Sequence, residues 1–273
     1  HSLSSCNFGN NSAGSGGGVH LEAVNGMVAA VSGCEFHNNT AAEGAGGGLN
    51  IAADLAMNIT LTNCRFISNI ALVQGAGVSA VQSTPNPPAN LILGYVPSTP
   101  TAAYFPAVPA RCFAVVSETW REYNHSSPPM LITSTSFESN RAQLVIEDNT
   151  TIVSSAGGGL YSTNFRVILR DSNVTSNYAA ITGGGVQLGP GSGTLTVTGN
   201  STIIANIASV SGSAIYSTST GAIVLAEGAL LDISGSTQST GVSVLSGGNY
   251  SLGTEQGTVV QCGVGEQLIS EFT

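Results

Sequence analysis

Lysine is absent from this 273-residue chain, and its six cationic residues are all arginine, set against fifteen acidic ones. A formal net charge of −9 with no basic cluster excludes the phosphate neutralisation that nucleic-acid binding or an anionic membrane surface requires. Charged residues make up 8% of the chain, where soluble domains usually carry about 25%. No apolar run approaches the ~18 residues needed to cross a bilayer, so membrane insertion by a helix is not expected. The chain opens at His1 without a charged and then apolar leader, which predicts a mature chain or an excised portion of one. Five cysteines occur without a C-x-x-C pair, which speaks against a structural zinc site, and their odd number leaves at least one thiol unpaired within the chain. G-x-S-x-G, H-E-x-x-H and both phosphate-cradling glycine motifs are also missing.

With so little charge, something else must keep the surface in water, and sugar is the expected agent. Eight N-x-S/T sequons stand at Asn10, Asn38, Asn58, Asn124, Asn149, Asn173, Asn200 and Asn249. They predict N-linked glycans and hence an extracellular location, secreted or at the cell surface.

Self-similarity is the strongest feature. An apolar residue, two variable residues, Asn, one variable residue and Ala recur six times: Phe8/Asn11/Ala13, Phe36/Asn39/Ala41, Phe66/Asn69/Ala71, Phe137/Asn140/Ala142, Val174/Asn177/Ala179 and Ile203/Asn206/Ala208. A small-residue cluster and an aliphatic follow, as in Gly16-Gly17-Gly18-Val19, Gly46-Gly47-Gly48-Leu49, Gly75-Ala76-Gly77-Val78, Gly157-Gly158-Gly159-Leu160 and Gly183-Gly184-Gly185-Val186. The Asn-to-Asn intervals are 28, 30, 71, 37 and 29 residues, a basic period near 29 with two coils enlarged by insertions.

That period accommodates about three short strands and three turns, and stacking such units at ~4.8 Å pairs every backbone group with the unit above and below. Five residues before the anchors stand Leu3, Val31, Leu61, Ile132 and Leu169, with Val197 one residue out of step. The sequence therefore predicts an all-β fold: a right-handed parallel β-helix of about seven coils over residues 1–258, with a long Pro-rich insertion at 82–130 and a shorter one at 143–156. Residues 259–273 are expected to be a tail or the start of a following module. Asn11, Asn39, Asn69, Asn140, Asn177 and Asn206 are expected to form a structural ladder at a tight corner. The glycines should mark a second corner or a close approach of backbones. Cys6, Cys34 and Cys64 should occupy one inward column, replaced later by Thr135, Ser172 and Ser201; three in a column cannot all pair, so either one pairs beyond the start of this chain or the column holds buried thiols.

The alternation of Phe-x-x-Asn with a Gly-Gly-small-aliphatic cluster, carried by residues 3 to about 215, resembles the repeats of polymorphic outer membrane proteins, known from chlamydiae and from large surface proteins of algae and other microbes. Val174 and Ile203 depart from its Phe, and Gly-Gly-Gly stands where that family often has Gly-Gly-Ala. The resemblance implies a parallel β-helix displayed outside the cell, often adhesive. The sequons point to a eukaryotic, algal or protist, relative.

The 82–130 insertion holds Tyr95, Tyr104, Arg111, Trp120, Arg121 and Tyr123, an aromatic and Arg content suited to a binding face. A loop folded back over the solenoid wall accounts for the same residues equally well. The expected role is a non-catalytic structural protomer of a surface fibre, filament or coat, its partners being copies of itself or other chains of an extracellular assembly. An adhesin binding protein or glycan through residues 82–130 is the alternative. A polysaccharide lyase or glycoside hydrolase ranks third, because the acids, among them Glu22, Glu35, Asp54, Glu138 and Asp171, recur at no common repeat position. No cofactor or metal is expected. The first strand already carries core residues, which predicts further coils or another protomer stacked against it.

Overall fold

The computed structural model describes residues 2–23, 28–54, 58–83, 129–143, 155–191 and 195–217, together with the short strands at 146–147, 151–152, 223–225, 230–232, 244–246, 250–252 and 259–261. All regular structure among these residues is strand.

Four parallel sheets run the length of the stack, with eight, eight, six and seven strands. Each is assembled from strands that recur once per repeat. The first begins Ser2–Ser4, Val28–Ser32, Asn58–Thr62, Pro129–Thr133, Arg166–Arg170 and Leu195–Thr198. The second begins Asn7–Gly9, Glu35–His37, Arg65–Ile67 and Ser136–Glu138. A third holds two-residue strands such as Thr40–Ala41 and Ile70–Ala71, and the fourth includes Leu49–Ala53, Val78–Gln82 and Leu160–Thr163. Successive strands of each sheet lie one repeat apart in sequence, the architecture of a parallel β-solenoid. Four strands per turn, rather than the three expected, follow from an extra bend: the two residues after each ladder Asn form a rung of their own before the chain reaches the glycines.

The bends into the second, third and fourth sheets are each made by one residue in the left-handed region. Ser5, Gly33, Asn63, Ser134, Asp171 and Gly199 turn the first sheet into the second, with φ from 49° to 63°. Asn10, Asn38, Ser68, Ser139, Ser176 and Ala205 turn the second into the third, with φ from 52° to 58°. Gly16, Gly46, Gly75, Gly157, Gly183 and Gly212 lead into the fourth. Short polar side chains tolerate this conformation better than most residues, and Gly pays no Cβ penalty there.

The register matches the repeat. Leu3, Val31, Leu61, Ile132, Leu169 and Val197 lie on one rung series. Val197 reaches its place despite the one-residue slip because Gly199 and Asn200 absorb the extra residue at the bend. The anchors Phe8, Phe36, Phe66, Phe137, Val174 and Ile203 form another series. The four phenyl rings stack with centroids 5.0, 4.7 and 5.1 Å apart and planes within 17° of parallel. From Phe36 onward every anchor is fully buried. Burial of each is worth about 1.5–3 kcal/mol, and each ring pair adds about 0.5–1.5 kcal/mol. Ala41, Ala71, Ala142 and Ala179 pack with Ala76 into a separate small core behind the third sheet, which explains the invariant small residue two places after the ladder Asn.

Pairing extends past the margins read from sequence. Gln82 pairs with Ala53, Pro129 with Arg166, and Met130 with both Ile59 and Val167, so these residues belong to the walls. Within 143–156, Ile146–Glu147 and Thr151–Ile152 form an antiparallel pair, while Ala156 bridges Gln74 and Thr182 in the stack. Val259–Gln261 pairs in parallel with Leu230–Asp232, beyond residue 258 where the stack was expected to end.

Candidate functional site

The feature that recurs on the first six coils is interior. Asn69 donates through Nδ2 to the carbonyl oxygen of Phe36 at 2.9 Å and to Oδ1 of Asn140 at 3.0 Å. Its own Oδ1 accepts the backbone N–H and the Nδ2–H of Asn39, both at 3.0 Å. Two donors and two acceptors are thus all used, the full capacity of a primary amide. Asn140 and Asn177 repeat this set. Asn39, Asn69, Asn140, Asn177 and Asn206 are all fully buried, and Asn11 closes the row at an exposed position. The six ladder residues therefore lie in one row: the amides of Asn39, Asn69, Asn140 and Asn177 tie their coils to both neighbours, while Asn11 and Asn206, at the two ends, each bond to one.

Glycine belongs to the same device. A Cβ on Gly48 would stand 2.7 Å from the carbonyl oxygen of Gly77, 3.0 Å from Cδ1 of Phe66 and 3.2 Å from Nδ2 of Asn69. Gly18, Gly48, Gly77, Gly159 and Gly185 each press against a ladder Asn, and Gly48 and Gly77 also press against the phenyl stack. Phe, Asn and Gly recur together because each occupies the space the others leave.

The cysteine column is a second ladder, one whose chemistry the sequence did not disclose. Cys34 donates its S–H to the carbonyl of Ser32 and Cys64 to that of Thr62, each at 3.3 Å. Thr135 and Ser172 do the same through hydroxyls to Thr133 and Arg170, at 2.9 and 2.7 Å. In return each side chain accepts the backbone N–H of the column residue one coil earlier: Cys6 to Cys34 Sγ at 3.4 Å, Cys64 to Thr135 Oγ1 at 3.4 Å, Thr135 to Ser172 Oγ at 3.2 Å and Ser172 to Ser201 Oγ at 3.1 Å. Thiol and hydroxyl are interchangeable here because both donate once and accept once. All three cysteines are free. Burial pushes the Cys34 and Cys64 thiols above their ordinary range, since a thiolate would lose its hydration.

Outside, five sequons fall on described residues, and Asn10, Asn38, Asn58, Asn173 and Asn200 are all exposed. The middle residue of four of them, Asn39, Ile59, Val174 and Ser201, is core. Alternation then turns the asparagine and the hydroxyl residue outward together, as for Asn58 with Thr60 and Asn173 with Thr175. Asn10 and Asn38 sit at left-handed bends, where Asn is favoured on backbone grounds as well. Asn124, Asn149 and Asn249 lie outside the described residues.

Compared with family models, with curated proteins and with solved structures, the chain matches none.

The outer wall carries ordinary surface chemistry. Glu35, Arg65, Ser136 and Asn173 share a column as expected. Arg65 approaches Glu35 at 3.5 Å with both side chains well exposed, an ion pair worth at most about 1 kcal/mol. His20 contacts Asn50 through Nδ1 at 3.0 Å, whereas His37 reaches Asn7 Oδ1 through Nε2 at 2.9 Å on the second sheet. The guanidinium of Arg141 lies 4.9 Å from the Tyr178 ring centroid. No group of three or more potential metal ligands occurs among the described residues. Tyr95, Tyr104, Arg111, Trp120, Arg121 and Tyr123, the residues suggested for an interface, all fall outside the described set.

Proposed function

We propose that this chain is a non-catalytic structural segment of an extracellular glycoprotein, a protomer of a cell-surface fibre, filament or coat, built as a right-handed parallel β-helix of about seven coils. The observation that carries this reading is the saturated Asn ladder. Buried amides paired coil to coil resist bending and shear, since any displacement between coils breaks several buried hydrogen bonds at once. At the strand spacing, seven coils make a stiff element roughly 35 Å long. Such a rod suits a spacer or building block.

Outward sequons support the extracellular part of the proposal. Glycans at Asn10, Asn38, Asn58, Asn173 and Asn200 would project from the walls without disturbing the core, and they would supply the solubility that an 8% charged chain lacks. The partners are then copies of the same chain or other components of the assembly.

Electron microscopy of the native material tests the reading. Straight filaments or coats whose walls carry sugar, unchanged in a chain lacking residues 84–128, are the expected result. Retained assembly with loss of binding to cells or glycans on that deletion would move the function to adhesion. Turnover of a polysaccharide, abolished by substituting one acidic residue, would overturn the non-catalytic assignment.

A further inference from the structure

The cysteine column holds three thiols on adjacent coils, and the contacts between them are unequal. Ser4 pairs with Ser32 and Asn7 with Glu35, which places Cys6 directly against Cys34, and Glu35 donates its N–H to the Cys6 carbonyl at 2.9 Å. Neighbouring rungs at ~4.8 Å fall within the 4.4–6.8 Å Cα window that disulfides span. The Cys6 N–H points at Cys34 Sγ, and the two thiols are also side-chain hydrogen-bond neighbours. Cys64 meets Cys34 through the Cys34 backbone N–H, while its S–H is held by the carbonyls of Thr62 and Val31 at 3.3 and 3.4 Å. Cys6 is half-buried, whereas Cys34 and Cys64 are 1% exposed.

We propose that Cys6 and Cys34 are a disulfide-forming pair that links two neighbouring coils covalently, with Cys64 left as a buried thiol. Cys6, the more accessible member, reacts first. Its thiolate attacks one sulfur of a small-molecule disulfide such as oxidised glutathione, and the other sulfur departs as a thiolate. Cys34 then loses its proton and attacks Cys6 Sγ, expelling the second glutathione thiolate. Two protein thiols are oxidised, one external disulfide is reduced to two thiols, and the two protons pass to those leaving groups. Bond formation removes the S–H donations to Ser4 and Ser32, but the Ser32 carbonyl keeps the N–H of Ser5 at 2.9 Å. Cys64 keeps both of its own contacts. The inference rests on the extracellular reading only for the supply of an oxidant.

The full chain, reduced and then equilibrated with oxidised glutathione, provides the test. Cleavage after glutamate at acidic pH without reductant separates the three positions, since Glu22 and Glu35 lie between them. The expected products are a cross-linked pair containing Cys6 and Cys34, two hydrogens lighter than the sum of its parts, and a Cys64 peptide alkylated only after unfolding. Cys34→Ser should fold, because Ser172 and Ser201 hold the same column, and it should leave Cys6 open to iodoacetamide. Cys64→Ser should leave the cross-link intact. A Cys34–Cys64 bond, pairing of Cys6 with Cys112 or Cys262, or free Cys6 and Cys34 after oxidation would each overturn the proposal. Because purified protein and added oxidant are used, those outcomes leave the scaffold reading standing.

Discussion

Asn69 Nδ2 donates to Asn140 Oδ1 at 3.0 Å across 71 residues of sequence. The long interval leaves the ladder unbroken, because Val78–Gln82 pairs in register with Leu49–Ala53 and Pro129–Thr133 pairs in register with Asn58–Thr62. Coil-to-coil pairing, rather than sequence proximity, decides where each residue sits.

Breaking the row in its middle should be far more harmful than trimming its end. Asn140→Ala strips the acceptor from the Asn69 N–H and Nδ2–H and leaves the Phe66 carbonyl without its amide donor, all in buried surroundings. With roughly 1–3 kcal/mol for each buried group left unsatisfied, a loss on the order of 3–5 kcal/mol is expected in denaturant unfolding. Asn11→Ala, at the exposed end, should lose less than about 1 kcal/mol.

Two glycines separate close approach from backbone conformation. Gly48→Ala drives a methyl into the Gly77 carbonyl and the Phe66 ring and should cost about 3 kcal/mol, the upper part of the overpacking range. At Gly33 a Cβ meets nothing nearer than 3.7 Å, and its φ of 58° resembles the 52° of Asn63 at the same bend. Gly33→Asn should leave the unfolding midpoint within about 0.5 kcal/mol of the parent.

Alkaline pH should weaken the fold through the thiols. With Cys6, Cys34 and Cys64 kept reduced, Cys34 and Cys64 hold their protons to higher pH folded than the ordinary 9.0 of the unfolded chain. Above that value the unfolded state binds fewer protons than the native one, so stability falls as pH rises. The contribution is fully present below pH 9 and is lost as pH climbs through the raised folded values. The difference between the parent and a Cys34→Ser, Cys64→Ser double variant should therefore change only on the alkaline side; a change confined to acidic pH would contradict this assignment.

Asn38→Ser should remove one glycan and leave the fold in place, since Ser68 and Ser139 hold the same left-handed bend with φ of 52° and 55°. Intact mass before and after peptide N-glycosidase treatment of protein secreted from a eukaryotic host reads the change. Equal glycan mass in parent and variant would show Asn38 to be unmodified.

Much of this was legible in the chain. Phe36, Asn39 and Ala41 recur at fixed spacing because each fills a stacked column, and a column imposes the same residue type once per coil. The fourth rung was not legible, since a strand of two residues such as Thr40–Ala41 has no alternation to detect. The left-handed bends were hidden by variety: Ser5, Gly33, Asn63 and Asp171 share a conformation but no side-chain type. The second ladder was half visible. Cys64, Thr135 and Ser172 could be aligned on one column, but only coordinates reveal that sulfur and oxygen alternate as donor to the residue's own turn and acceptor from the coil before.

A double-mutant cycle on Asn69 and Asn140 tests the stacked ladder most directly. Their contact predicts that the two alanine substitutions together cost at least about 1 kcal/mol less than the sum of the single effects, while Asn39 and Asn177, which do not touch, add within about 0.5 kcal/mol. Simple additivity for Asn69 and Asn140 would mean that residues 71 apart in sequence are not joined through adjacent coils, and the account of the fold would fail with it.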